Sequence, residues 1–249
     1  MPLAPGQLLK LKRWNTPTIA NALEQISHAD PLTIVNRDET RDFMPEMGPM
    51  VGYAMTVVIS GSDPRPKQDE PENFAKYREY LASVAGPKIV IVQDVDQPLC
   101  YGSIWGEVGA SNARALGCVG TITDGAIRDL DEMKSVGFKA LARRLSVSHA
   151  HCWPLRWGGE VAVFGTVVKP GQLIHADKHG FIIIPKDAEK RLLGAARLMD
   201  DNECDTVIPP GTDSSGHTFP DTLARMKKAG ARFSAATRRE FGGGGGEWK

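Results

Sequence analysis

The sequence predicts an α/β fold built around a mainly parallel sheet, and the middle of the chain supports this most directly. Residues 88–95 form an apolar run without polar alternation, which is typical of a strand buried on both faces. A helix is predicted over residues 105–116, ended by Gly117, and a second strand over residues 118–123. Because strand, helix and strand follow one another within 36 residues, we expect a right-handed βαβ unit with parallel strands.

The segments on either side of this unit predict further elements. Thr16 and Pro17 are typical of a helix start, and Ile19 and Leu23 recur on one face, so a helix is predicted over residues 16–25. The other predicted elements are a strand over 52–59, a surface loop over 60–72, a helix over 74–84, strands over 161–168 and 181–184, and a helix over 186–199.

The composition changes near residue 200. We predict one α/β domain over residues 1–199 and a loosely attached C-terminal arm over residues 200–249. Pro209 and Pro210 favour irregular structure in that arm, and the five consecutive glycines at 242–246 predict a flexible end.

The charge balance argues against a basic protein that binds polyanions. The 249 residues include 30 Lys and Arg and 30 Asp and Glu, and the pI is about 7.0. Binding to nucleic acid requires a clustered excess of basic residues, so we expect no nucleic-acid partner. The apolar fraction of 41% is ordinary for a globular chain and too high for a disordered one.

Hydropathy and cysteine spacing indicate a cytoplasmic protein. No run of 18 apolar residues is present, so no membrane span is predicted, and residues 1–14 lack the pattern of a secretory signal. Cys100, Cys118, Cys152 and Cys204 form no CxxC pair and match no zinc-site spacing. We expect four reduced, buried thiols.

Acidic residues follow two predicted neighbouring strands. Asp94 ends the first strand and Asp124 the second, which leads into a predicted turn over 125–129. Ligands of open parallel sheets bind beyond the carboxyl ends of the strands, so a site is predicted at this edge. Asp94 and Asp124 themselves are expected to shape the loops by accepting hydrogen bonds from nearby backbone.

The residues around this edge suit an anion and a cation together. Residues 102–109 open a helix, whose free N–H groups and positive dipole end favour a substrate carboxylate. Arg128 could bind that carboxylate in a bidentate manner. Asp129 and Glu107 could hold a hard divalent cation, directly or through waters. A purely structural role for Glu107, complementing the helix dipole, stays open.

The histidines are assigned structural roles. His149 and His151 lie two residues apart beside Cys152 on an irregular segment, a weak pattern for a metal site. His175 and His179 flank a predicted turn over 170–180, where packing is the favoured role.

A set of motifs follows in order through the chain. The motifs are Gly52-x-Ala54-x-Thr56-Val57, Gly106-Glu107, Gly117-x-x-Gly120, Asp124-Gly125-x-x-Arg128-Asp129, Pro170-Gly171 and Ala176-Asp177-x-His179-Gly180. Over residues 16–199 this set resembles the family that joins the regulators of ribonuclease activity to the 4-hydroxy-4-methyl-2-oxoglutarate aldolases.

The resemblance implies a swivelling β/β/α fold, assembled as a trimer or a hexamer with the active site between subunits. It also implies a lyase that depends on Mg²⁺ or Mn²⁺ and cleaves a C–C bond of a small 2-oxo acid to give pyruvate. Such a substrate is 4-hydroxy-4-methyl-2-oxoglutarate, and many members also decarboxylate oxaloacetate.

By position in the motifs, Arg128 matches the arginine that binds the substrate carboxylate, and Asp129 matches the metal-binding aspartate. Glu107 matches a site acid that is often aspartate, and these three are the predicted catalytic residues. Glu203 is the nearest match for a further metal-site acid that comes from the neighbouring subunit.

Three backbone positions complete the predicted site. Gly106, Val108 and Gly109 are assigned to substrate binding, with the last two supplying amides near the carboxylate. The chain departs from the family pattern at Gln172 and Lys178, where acidic residues are common, and we expect that change to affect packing.

Other functions stay open on the same scaffold. One is a non-catalytic regulator that binds and inhibits a ribonuclease, and another is an enzyme for a different small acid, because fold does not determine function. A methyltransferase is rejected, since no glycine-rich nucleotide loop follows the first predicted strand.

Overall fold

A computed structural model describes residues 2–64 and 70–242 of the chain. It divides into two compact units, the first made of Met1–Thr16 and Asp30–Lys186 and the second of Pro17–Ala29 and Asp187–Lys249. None of the helices in the described ranges has the length and apolar character that crossing a bilayer requires.

The strands of the described residues all belong to the first unit. They are β1 (Arg41–Asp42), β2 (Met50–Ser60), β3 (Lys88–Asp94), β4 (Cys118–Ile127), β5 (Lys139–Leu145), β6 (Trp153–Trp157), β7 (Val161–Val163), β8 (Thr166–Val168), β9 (Leu173–Asp177) and β10 (Gly180–Ile184).

The α-helices are distributed over both units. They are α1 (Pro5–Leu11), α2 (Thr16–Ile26), α3 (Pro31–Ile34), α4 (Glu70–Ala82), α5 (Glu107–Ala115), α6 (Leu130–Ser135), α7 (Glu189–Asn202), α8 (Pro209–Thr212) and α9 (Phe219–Phe241). A 3₁₀ turn (Pro45–Met47) and a π-helical turn (Glu203–Val207) complete the set.

The main sheet has the strand order β1-β5-β4-β3-β2-β9-β10, and β6 also pairs with β2. The central strands β2, β3, β4 and β5 are parallel, and the flanking pairings are antiparallel. The parallel pairing of β3 and β4 around α5 confirms the predicted βαβ strand arrangement, and the mainly parallel α/β core confirms the predicted fold class.

Strand β3 is buried on both faces, which explains its continuous apolar sequence. Val90 and Val92 belong to one hydrophobic cluster, whereas Ile89 and Ile91 belong to a second one on the other side of the sheet. Because neither face meets water, no polar alternation is required. The predicted strand over 88–95 is therefore confirmed, and burial on both faces is the reason for its apolar sequence.

The predicted end of the second strand was wrong. Strand β4 continues to Ile127, so Asp124 and Gly125 lie within the strand rather than in a turn. The pairing of β4 with β5 shifts register between Thr123 and Ala126, which places these two residues in a bulge. A bulge turns side chains locally without ending the ladder, and turn-like residues alone do not distinguish it from a true turn.

Two further segments differ from the prediction. Residues 161–168 form the hairpin β7–β8 instead of one strand, because Phe164 and Gly165 both adopt a positive φ, 47° and 73°. This is the backbone of a two-residue hairpin turn. The predicted turn over 170–180 contains strand β9, which pairs with β2 and β10.

The second unit is helical where a loose arm was predicted. Helix α9 begins after Thr218, whose hydroxyl accepts the N–H of Asp221, and ends at Gly242. Phe233 is buried, and its carbonyl accepts a hydrogen bond from Asn202 Nδ2 at 3.1 Å. This packing orders a segment whose polar composition favoured a loop. Most of the glycine run falls among residues 243–249, outside the described residues.

Candidate functional site

The predicted site residues lie where the start of α5 meets the end of β4. Trp105 forms a parallel bridge with Ile127, and its carbonyl accepts the N–H of Arg128 at 3.3 Å. These contacts hold the segment before α5 beside the segment before α6. As a result, Gly106 at the N-cap of α5 and Asp129 at the N-cap of α6 come together.

Asp129 connects the two helix starts. Its Oδ2 accepts the backbone N–H of Glu107 at 3.1 Å, and its Oδ1 lies 3.9 Å from Nη1 of Arg128. The side chains of Arg128 and Asp129 are both about one-third exposed, 37% and 32%. The pair is thus in contact with solvent and within reach of a dissolved ligand.

Gly106 is the residue that permits this contact. A Cβ on Gly106 would overlap Oδ2 of Asp129 and lie 3.2 Å from Nε of Arg128. The φ of Gly106 is −162°, which any residue can adopt. The requirement for glycine is therefore the space that the Asp129 carboxylate occupies.

The first turn of α5 faces this pair with unused backbone donors. The first helical hydrogen bond runs from the N–H of Ala110 to the carbonyl of Gly106, so the amides of Val108 and Gly109 have no acceptor within the helix. The side chains of Glu107 and Val108 are exposed. Free N–H groups at a helix start beside a guanidinium form an environment that favours an anion.

Asp94 and Asp124 support the loop below this surface, which confirms their predicted role. Asp94 Oδ2 accepts the N–H of Gly102 at 2.8 Å, and Asp124 Oδ1 accepts the N–H of Asp94 at 2.7 Å. The carbonyl of Gly102 in turn accepts the N–H of Ala126. Burial raises the pKa of Asp124 to about 7 and raises the pKa of Asp94 in the same direction.

Sequence reasoning missed Asp96. Its carboxylate accepts the N–H of Gly61 at 2.6 Å and both the N–H and the hydroxyl of Ser62, at 2.9 and 2.6 Å. Burial opposes ionisation, but these donors hold the pKa of Asp96 below its ordinary value. The available signal was a second acid two residues after Asp94, at the same strand end.

The residues around Asp124 were also missed. Gln97 Nε2 donates to Asp124 Oδ2 at 3.0 Å, and Arg143 Nε donates to the carbonyl of Asp124 at 2.8 Å. Arg143 belongs to β5, which no sequence pattern indicated, so its approach to Asp124 depends on strand pairing.

The histidine and cysteine predictions have mixed outcomes. His175 is fully buried, with Nδ1 2.9 Å from the hydroxyl of Thr16 and Nε2 3.3 Å from the carbonyl of Leu11. Burial lowers its pKa to about 4, as for a packed neutral imidazole.

All four cysteines are free, but Cys204 is exposed, which corrects the prediction of four buried thiols.

A family model described as RraA-like, Aldolase/RraA, matches residues 16–183, about two-thirds of the chain. The chain belongs to the RraA-like family. The matched range includes Gly106, Glu107, Arg128 and Asp129 and ends within β10.

Among proteins of known sequence, the RraA-like chain is similar to a Halalkalibacterium halodurans protein named "Putative 4-hydroxy-4-methyl-2-oxoglutarate aldolase". The two are 27% identical over 165 residues, which cover 66% of this chain and 73% of that protein. It is also 27% identical over 124 residues to an uncharacterized protein of Methanocaldococcus jannaschii, covering 49% of this chain and 59% of that protein. The chain thus spans less than two-thirds of the archaeal relative.

Solved structures show the same fold. A protein of Pseudomonas syringae pv. tomato superposes with a TM-score of 0.65 at 21% identity, covering 90% of this chain and 95% of that one. Streptomyces coelicolor RraAS2, described as an unusual member of the RNase ES inhibitor RraA family, superposes with a TM-score of 0.62 at 17% identity, covering 82% and 96%.

The predicted metal ligands of this RraA-like chain fall into different parts of the structure. Asp129 and Glu107 meet in the first unit, whereas Glu203 lies in the second, where Asn21 Nδ2 donates to it at 3.2 Å. Among the described residues, no group of three or more His, Cys, Asp or Glu side chains is placed to hold a metal ion. Asp129 and Glu107 both carry carboxylate oxygens, which is the ligand type that Mg²⁺ takes together with several waters.

Proposed function

We propose that the chain is a divalent-metal-dependent lyase that cleaves a C–C bond of a small 2-oxo acid and releases pyruvate. The observation that supports this best is the contact of Asp129 with the N-terminus of α5, beside Arg128 and over Gly106. This exposed surface combines donors for an anion with a ligand for a cation. The guanidinium and the free helix N–H groups are complementary to the carboxylate of a 2-oxo acid, and the carboxylate of Asp129 is a ligand for the cation. The similarity to the aldolase-named relative supports the same reaction class.

Arg128 and the helix start bind and orient the substrate in this proposal. The guanidinium pairs with the substrate carboxylate, and the amides of Val108 and Gly109 donate to the same group. Charge that develops on the carboxylate and the adjacent keto oxygen during cleavage is then stabilised by donors that are already in position.

Asp129 and Glu107 are the residues that would hold Mg²⁺ or Mn²⁺, with Glu203 of a neighbouring subunit as a further ligand in a trimer or hexamer. When bound, the cation supplies a Lewis acid for the keto group. Light scattering of the purified protein tests the assembly, and a monomer would contradict the contribution of Glu203.

Proton transfers complete the reaction. With a 4-hydroxy substrate, a base removes the hydroxyl proton, the C3–C4 bond breaks, and its electron pair forms the enolate of pyruvate. With oxaloacetate, carbon dioxide leaves and no such base is needed. In both cases C3 of the enolate takes up one proton, which a water oriented by the exposed Glu107 delivers.

The test is pyruvate release from oxaloacetate by metal-stripped protein, with and without Mg²⁺ or Mn²⁺, followed in a coupled assay against a blank that contains metal alone. We expect turnover only with metal, and its loss in Arg128→Ala. Arg13→Ala is the matched control, since Arg13 is an exposed arginine just after α1, on none of the elements that form the site.

Metal-dependent turnover that Arg128→Ala leaves intact would contradict the assignment of the site. No turnover above the metal blank with oxaloacetate, and none with 4-hydroxy-4-methyl-2-oxoglutarate, would contradict the lyase and favour a ribonuclease-binding role, measurable as inhibition of RNA cleavage.

A further inference from the structure

A cavity lies at the opposite end of the parallel strands from the candidate site. It has a volume of about 240 Å³ and lies in the first unit, between α1 and the amino-terminal ends of the central strands. Met50 begins β2, Pro87 precedes β3, and Lys139 begins β5. Helix α5 connects the two regions, with Glu107 at the candidate site and Arg114 at the cavity.

The wall of this cavity is strongly basic. Lys12, Arg114 and Lys139 all line it, and no acidic side chain within residues 2–64 and 70–242 does. Among the described residues, no carboxylate forms an ion pair with Lys12 or Arg114. Partial burial, together with the nearby charges of Lys139 and Arg114, lowers the pKa of Lys12. The three cations are therefore close enough to repel one another.

Lys139 is the buried member of the group. Its side chain is 2% exposed, and Nζ donates to Asp42 Oδ2 at 2.6 Å and to the carbonyl of Met44 at 2.9 Å. An ammonium group has three N–H donors, and these two contacts use two of them. Asp42 neutralises Lys139, and the cavity retains an excess of two positive charges from Lys12 and Arg114.

The rest of the wall is apolar. It is formed mainly by Leu8, Leu9, Met47, Met50, Val51 and Val119. Basic side chains around a small apolar cavity are complementary to an anion that has an apolar body.

From this charge and shape we infer a binding site for a small organic anion, a carboxylate with a short aliphatic or cyclic body, at Lys12, Arg114 and Lys139. This site is separate from the proposed lyase site and does not depend on its activity. The anionic group contacts the cations, and the apolar body packs against α1 and Met50.

The experiment uses hexanoate as the probe and hexanamide as its neutral counterpart, with binding measured by calorimetry. Methyl NMR of ¹³C-labelled methionine reports the location, because Met47 and Met50 line the cavity. We expect hexanoate to bind and to shift these two methyl signals. Either Lys12→Gln or Arg114→Gln raises Kd at least about tenfold, the loss of one charge-assisted contact.

Two control variants locate the effect. Lys10→Gln removes an exposed lysine from the same helix without changing the cavity wall, so it leaves Kd unchanged. Arg128→Ala removes carboxylate binding at the proposed lyase site and also leaves the methionine shifts intact.

Any one of the following results would overturn the inference. They are the absence of hexanoate binding, equal affinity for hexanamide, and a Kd that is the same in Lys12→Gln, Arg114→Gln and the unmodified chain. Binding that is lost in Arg128→Ala instead would overturn it as well, because the probe would then occupy the lyase site.

Discussion

The carboxylate of Asp129 occupies the space in which a Cβ of Gly106 would lie. The start of α5 therefore lies so close to the Asp129 carboxylate at the start of α6 that even a methyl group at position 106 would overlap it. The same carboxylate accepts the N–H of Glu107, so one contact determines both the position of the acid and the approach of the helix.

Gly106→Ala is expected to displace Asp129 and to lower kcat/KM for oxaloacetate more than tenfold. It should reduce the free energy of unfolding by less than about 1 kcal/mol, because the atoms in the way belong to two partly exposed side chains. Steady-state kinetics and urea unfolding measure the two effects. Gly194→Ala is the control, because Gly194 is helical with open space around its Cβ position; it should stabilise by about 0.5–1 kcal/mol. Full activity in Gly106→Ala would contradict the importance of this packing.

Asp129→Asn should separate the charge of Asp129 from its structural role. Asp129 has a φ of 54°, a left-handed conformation that Asn tolerates and Ala does not, and the amide oxygen of Asn can still accept the N–H of Glu107. We expect pyruvate formation to fall about a hundredfold and the Mg²⁺ concentration for half-maximal activity to rise, with unchanged circular dichroism. Asp131→Asn, an exposed acid on α6, is the control. Equal activity in both variants would exclude Asp129 as a metal ligand.

Asp124→Asn should change how stability depends on pH. The pKa of Asp124 is about 7 in the folded chain and about 4 when unfolded, so the folded state binds more protons between these values. Its contribution to the free energy of unfolding therefore falls as pH rises from about 4 to 7, by at most about 4 kcal/mol. Urea unfolding at several pH values should show a more positive slope in the variant across this window. Parallel curves for the two proteins would show that Asp124 stays ionised.

Lys139→Met should destabilise the chain by about 3–5 kcal/mol, because it leaves Asp42 charged and buried. The two side chains are 2% and 3% exposed and lie 2.6 Å apart. The double variant Asp42→Asn with Lys139→Met should recover part of the loss in urea unfolding. At the exposed pair of Lys169 and Glu160, Lys169→Met should cost less than about 1 kcal/mol. A similar cost at both lysines would refute the buried ion pair.

Local sequence patterns predicted a large share of the fold. The continuous apolar run of β3 and the proline in the first turn of α2 depend on residues close together in the chain, and both elements formed as predicted. Strands β5 and β9 were missed because their residues are interrupted by charged or polar side chains that find buried partners. Lys139 is neutralised by Asp42, and His175 is paired with Thr16. Such partners lie tens of residues away and leave no local signal.

For the site, the sequence alone determined the family and the residues around the start of α5. Gly106, Glu107, Arg128 and Asp129 stand in short motifs that are readable in the sequence, although the need for glycine at position 106 comes from the Asp129 carboxylate on another element. Only the tertiary structure decided that β4 continues through Asp124, that Asp96 braces the loop, and that three cations share one cavity wall. Each of these depends on strand pairing and on the burial of charge, which are properties of the packed chain rather than of any segment within it.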